Sequence, residues 1–170
     1  MKKNEISREE VEELIGVFDK AADSLVAPLS QRAPGVKAKV LIVDDDAAIT
    51  QQLYWTLCDE FEVLTANDLS TALRRATIYE PDILILDLHL PPTPDALDTG
   101  LRILDYVKVR RPTPKIFVIS AASGIGVEKA CYQHGADVFI GKPIDVERLL
   151  SEVRRAAAGG AAALAASHSF

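Results

Sequence analysis

The sequence predicts an α/β fold built on a five-stranded parallel, doubly wound sheet, and three observations support this. Five short apolar runs recur along the middle of the chain: Val40–Val43, Phe61–Thr65, Ile83–Leu86, Lys115–Ile119 and Val138–Ile140. Between and after them lie stretches whose apolar residues return at helical spacing. Strand–helix alternation repeated in this way implies parallel strands joined by right-handed crossovers, with helices on both faces. The runs themselves, such as Ile83-Leu84-Ile85-Leu86, are apolar without alternation, as strands buried on both faces are.

The helical stripes follow in order. Ile49, Leu53, Thr56 and Leu57 form the first, and Leu69, Leu73, Ala76 and Ile78 the second. Leu101, Leu104 and Val107 form the third, Val127, Ala130 and Cys131 the fourth, and Val146, Leu149, Leu150 and Val153 the fifth. This α/β region is expected over residues 39–158. Ahead of it, residues 1–27 read as one amphipathic helix and residues 28–38 as a linker carrying Pro28, Pro34 and Gly35. Ser7 and Glu10 form a capping box, with Ile6 and Val11 as its hydrophobic staple. Val11, Leu14, Ile15, Phe18, Ala22 and Leu25 then make one apolar stripe. A lone helix of this length is marginal in water, so the stripe needs a partner surface. Its heptad-like spacing favours a homodimer through this helix, and a helix folded back on its own domain is the alternative. Residues 159–170 are rich in Gly, Ala and Ser and read as a flexible tail.

Composition excludes several classes of function. The chain has 170 residues, 48% hydrophobic and 26% charged, as an ordinary globular protein does. A net charge of −6 disfavours a nucleic-acid-binding surface, which needs clustered Lys and Arg. No apolar run approaches the about 20 residues of a membrane helix, and no signal-peptide core follows Met1-Lys2-Lys3, so a cytoplasmic protein is expected. Cys58 and Cys131 lie inside apolar-periodic segments and read as reduced core residues. His89, His134 and His168 lack metal-ligand spacing, and the His89 side chain is expected to face solvent. Gly124-Ile125-Gly126 reads as a flexible loop, and Arg110-Arg111 and Arg154-Arg155 as charges at helix C-termini.

In open parallel sheets ligands bind at the carboxyl ends of the strands. Asp44, Asp45 and Asp46 follow the first run, Asp87 the third, Ser120 the fourth and Lys142 the fifth. All belong to one sheet edge. Carboxylates crowded together hold protons more tightly unless a cation joins them, and a hard, oxygen-preferring cation such as Mg²⁺ suits the place. A carboxylate beside such a cation can attack a phosphoryl group while Lys neutralises the transferred oxygens. Each residue alone has a plainer reading: a helix cap for the aspartates, Asp46 above all, a loop residue for Asp87, a turn residue for Ser120 and a solvated surface lysine for Lys142. Their joint occurrence favours the shared site.

The motifs VLIVDDD at 40–46, DILILDLHLP at 82–91, IFVISAAS at 116–123 and HGADVFIGKP at 134–143 resemble those of response-regulator receiver domains of two-component signalling, of the CheY-like kind. The resemblance implies a flavodoxin-like sheet of strand order 2-1-3-4-5. It implies Asp87 as phosphoacceptor, with Asp44, Asp45, Asp87 and the backbone carbonyl of His89 around Mg²⁺, or Mn²⁺ in its place. It makes Ser120 and Lys142 the phosphate-binding pair and Pro143 a proline after a cis peptide. Phe139 falls at the family's aromatic switch position and reads equally well as plain core. The donor would be a histidine kinase or phosphotransfer protein, and the signal would pass to a protein target. No enzyme activity beyond self-phosphorylation and self-dephosphorylation is implied, and no output domain is expected in this chain. Two other readings stand beside this one: a Mg²⁺-dependent phosphohydrolase with an aspartyl nucleophile at Asp44, and a receiver-fold scaffold that is not phosphorylated. One departure from the family concerns the segment Pro91–Gly100, where the glycine that usually follows the acceptor comes late and three prolines precede it.

Overall fold

The computed structural model describes residues 35–90, 96–110, 113–122 and 124–166. The amphipathic stripe of residues 7–26, most of the linker and the prolines at 91–94 lie outside the described residues. Five strands alternate with five helices: β1 (Lys39–Val43), α1 (Ala47–Leu57), β2 (Glu62–Ala66), α2 (Leu69–Tyr79), β3 (Ile83–Asp87), α3 (Ala96–Lys108), β4 (Lys115–Ser120), α4 (Ile125–Gln133), β5 (Val138–Gly141) and α5 (Val146–Ala166). All pairings are parallel and the sheet order is β2-β1-β3-β4-β5, the order that the family resemblance implied.

Strand alternation sorts the buried residues into two layers. Leu41, Leu84, Leu86, Ile116 and Val118 face α2, α3 and α4, where Leu73, Leu104 and Cys131 meet them. Val40, Ile42, Ile83, Ile85, Phe117 and Ile119 face α1 and α5, where Leu53, Leu57, Leu149 and Val153 close the layer. Each fully buried side chain of this kind stabilises the fold by about 1.5–3 kcal/mol relative to exposure.

Several elements differ from the expectation. Phe61 is buried but precedes β2, its N–H bonded to Leu57 O at 2.9 Å as the chain leaves α1. In α2 it is Ala72, not Ile78, that completes the buried stripe, and Ile78 is exposed. Cys131 is core, whereas Cys58 is half-buried at the C-terminal cap of α1; both are free thiols. Gly124 is the N-cap of α4, and Ile125 and Gly126 lie within that helix, which Glu128 favours by its charge in the first turn. The helix α5 runs on to Ala166, through much of the segment expected to be a flexible tail. Alanine, the strongest helix former, outweighs the cost of about 1 kcal/mol for each of the two glycines there. Arg154 and Arg155 therefore sit within α5 rather than at its end; they pair with Glu60 and Glu152. Arg110 bonds the Tyr106 hydroxyl at 2.7 Å.

Gly100 lies inside α3, and its position explains the late glycine. A Cβ there would stand 2.7 Å from Leu88 Cα and 2.8 Å from Leu88 O, both backbone atoms of the residue after Asp87. Helix propensity alone predicts that Gly100→Ala stabilises by about 1 kcal/mol. The close approach predicts the opposite sign, a loss of about 1–3 kcal/mol. Urea unfolding of the two proteins measures which term wins.

Candidate functional site at the carboxyl edge of the sheet

The strand register assembles the site. Val43 pairs with Leu86, so the next residues, Asp44 and Asp87, stand side by side at the end of β1 and β3. Asp87 pairs with Ile119 and Ser120 with Gly141, which brings Ser120 and Lys142 to the same edge. Asp87, Ser120 and Gly141 are still within their strands, one residue further than their apolar runs suggest. The Asp87 and Ser120 side chains therefore rest on ladder-bonded strand residues rather than on loops.

Asp44, Asp87 and Ser120 are buried, 2%, 4% and 1% exposed, whereas Asp45 faces solvent. Carboxylate oxygens of Asp44, Asp45 and Asp87 lie within 4.8 Å of one another. The Lys142 ammonium reaches over the cluster and donates to Asp44 Oδ2 and Asp87 Oδ2, each at 3.0 Å. Asp44 Oδ1 accepts the Asp46 N–H at 2.8 Å, and Asp87 Oδ1 accepts the His89 N–H at 3.2 Å. Asp46 itself caps α1, its carboxylate accepting from the Ala48 and Ile49 N–H groups. Of the three consecutive aspartates one is buried, one exposed and one a cap. Ser120 Oγ accepts the Ala122 N–H at 3.1 Å, and Ser120 O accepts the Lys142 N–H at 2.8 Å. The Lys142–Pro143 peptide is cis. Phe139 is half-buried and packs on the edge of the layer formed with α2, α3 and α4.

Burial pushes the Asp44 carboxyl above the usual carboxylate range and the Asp87 charge adds to the rise, while the Asp46 N–H and Lys142 oppose it. Burial pulls Lys142 down, but its hydrogen bonds to Asp87 and Asp44 outweigh this and leave it above the ordinary lysine value. Three carboxylates with oxygens this close offer the hard donors that Mg²⁺ prefers, and the residues present fit that ion.

A family model described as the response regulator receiver domain matches residues 40–154. The chain belongs to that family. Relatives include the response regulator ArlR of Staphylococcus aureus, 34% identical over 68% of this chain and 51% of its own length. The DNA-binding transcriptional regulator NtrC of Proteus hauseri is 32% identical over 71% of this chain and 24% of its own length. The chain thus spans about half or less of the length of these curated relatives. Among solved structures, the chemotaxis response regulator CheY4 of Vibrio cholerae matches with 30% identity and a TM-score of 0.62, over 71% of this chain and 99% of that one. A response regulator from Chloroflexus aurantiacus matches with 27% identity and a TM-score of 0.63, over 72% of this chain and 98% of its own. This receiver domain therefore belongs to a family of two-component signalling modules that are generally phosphoacceptors. Among the described residues no helix is long and apolar enough to cross a membrane.

At His89 the sequence pointed to the backbone carbonyl and to a solvent-facing side chain, and the placement of one ring nitrogen was not legible in it. The His89 ring is 41% exposed, yet its Nδ1 is buried, has no hydrogen-bond partner among the described residues and lies 3.8 Å from Asp87 Oδ1. Beyond a strand end the two-residue alternation no longer applies, so nothing in the pattern points this nitrogen inward.

Lys142 holds two buried like charges together, so Lys142→Met should cost the metal-free receiver about 3 kcal/mol in urea unfolding with a chelator present. Adding Asp87→Asn should recover part of that loss, since Asp44 then faces no like charge. Because its folded value is raised, the Lys142 contribution is complete below the ordinary lysine value of 10.5 and fades as pH climbs through the folded value. Lys142→Met should lack this alkaline slope.

Proposed function

We propose that Asp87 accepts a phosphoryl group from the phosphohistidine of a histidine kinase or phosphotransfer protein. The observation that carries this reading is the Lys142 ammonium at 3.0 Å from both Asp44 and Asp87 in a nearly dry corner of the sheet. A carboxylate oxygen of Asp87 attacks phosphorus, the bond to the donor imidazole breaks, and an acyl phosphate forms. Lys142 is placed to pair with the transferred oxygens, and Ser120 to donate a hydrogen bond to one of them. Asp45, Asp87, Asp44 and the His89 carbonyl would hold Mg²⁺, or Mn²⁺, which supplies neutralisation of charge on the transferred oxygens. Water later attacks phosphorus, the bond from phosphorus to the Asp87 oxygen breaks, and inorganic phosphate leaves to restore the carboxylate.

Phosphorylation then signals by protein contact through the face of α4, β5 and α5, with Phe139 as the ring that follows Ser120. Ile125, 88% exposed at the start of α4, and the exposed Tyr132 give that face apolar contact surface. A phosphohydrolase using Asp44 is disfavoured, since Asp46, the acid two residues on that its D-x-D spacing would supply, is engaged in capping α1.

Intact-mass analysis of the chain with acetyl phosphate and Mg²⁺ tests the acceptor. The wild type should gain one phosphoryl group and Asp87→Asn none; equal gain in both would overturn the assignment, and label mapped to Asp44 would favour the hydrolase.

Calorimetry tests the ion separately. Mg²⁺ should bind the wild type with a raised melting temperature, as a ligand of the native state does, and not bind Asp45→Asn/Asp87→Asn.

A further inference from the structure

Helix α1 has a second exposed feature, at the end away from the acidic cluster. Trp55, the only tryptophan in the chain, is 66% exposed, and Tyr54 beside it is 37% exposed. Their rings meet edge to face with centroids 5.3 Å apart. Val36, also exposed, belongs to the strand-entering segment, and Lys37 pins that segment to the end of α1 by donating to Cys58 O at 3.2 Å and Asp59 O at 2.7 Å. Neither aromatic ring serves the core, because Leu53 and Leu57 make the buried face of this helix.

We propose that the Tyr54–Trp55 face of α1 is the docking surface for residues 7–26 of the same chain. Four arguments select this occupant. The first is place: Lys37 delivers the upstream chain to the helix end that bears the exposed rings. The second is reach. Residues 27–36 span at most about 35 Å when extended, and the 11 residues of α1 are about 16 Å long. The whole face is therefore accessible to the tethered segment. The third is chemistry, since the stripe of Val11, Leu14, Ile15, Phe18, Ala22 and Leu25 needs an apolar surface to hold a helix in water.

The fourth is area. Side chains of this size expose roughly 300 Å² together at these exposures, well short of the about 800 Å² per partner of a stable interface. A patch that small does not hold a second copy at micromolar concentration. A segment on a short linker meets it at an effective concentration on the order of millimolar and needs far less surface. The small area thus selects docking in cis over a second copy seated on this face.

Acrylamide quenching of Trp55 fluorescence in the full chain tests the proposal. The wild type should show a shielded, blue-shifted ring, and Leu14→Asp/Phe18→Asp should raise its quenching constant by about twofold, as re-exposing a docked ring returns its surface to water. Far-UV circular dichroism checks that the receiver stays folded. Equal quenching in the two proteins overturns the proposal. The shielding should not vary with protein concentration, and sedimentation should find a monomer; shielding that grows with concentration alongside a dimer puts a second copy on the face and overturns docking in cis. Trp55→Ala supplies an independent reading: trypsin should cut after Lys20 several-fold faster than in the wild type, and equal rates overturn the assignment.

Discussion

Two buried carboxylates sharing one ammonium form the constraint on which the carboxyl edge of this sheet depends. Asp44 and Asp87 are drawn out of water by the strands that carry them, and their mutual repulsion works against the fold. Lys142 offsets that repulsion from the far side of the sheet, across β4. The arrangement requires β1, β3, β4 and β5 to keep their register together. A slip of one residue in any of these strands turns its functional side chain to the other face and exposes half its core. The same packing that buries Leu86, Ile119 and Ile140 therefore also places Asp87, the Ser120 hydroxyl and the Lys142 ammonium.

The site divides its labour by burial. Asp44, Asp87 and Ser120 are buried, and their electrostatic interactions are accordingly strong. Asp45 stands in solvent, where an arriving cation can exchange its water. Asp46 leaves the cluster altogether and fixes the start of α1. Behind Asp87, Gly100 lets α3 approach the backbone of Leu88, so the segment immediately after Asp87 is held by close packing on one side and by the Leu88 N–H bond to Ile119 O on the other.

Much of this was legible in the sequence because the parallel fold writes its strands as uninterrupted apolar runs and its functional residues as the first polar residues after them. Asp44, Asp87, Ser120 and Lys142 all sit where a run ends, and the register then makes them neighbours. What was illegible lies where periodicity carries no information. Ile78 fits a helical stripe by spacing, yet it falls near the end of α2, past the sheet's cover, and Ala72 fills the core instead. Gly124 and Gly126 read as a loop because glycine is a weak helix former, but an N-cap and a first turn tolerate it. Alanine's propensity extends α5 to Ala166 with no apolar stripe to announce it. The late Gly100 was visible as a departure, while its cause, a helix touching backbone, belongs to tertiary packing.

The two ends of α1 face different tasks. Its N-terminus is capped by Asp46 beside the acidic cluster, and its C-terminal carbonyls receive Lys37 beside Trp55. An unbroken helix packed on the sheet and on α5 links these ends mechanically. That link alone does not couple them. A segment seated on Tyr54 and Trp55 shifts the state of the acidic cluster only if it binds the two states with different affinity. Tyr54 and Trp55 stand on a helix whose other face is packed in the core, and well-packed helical segments resist local opening. Occupancy of this face is therefore expected to govern which partners can approach α1, by covering it, before it alters the chemistry at Asp87.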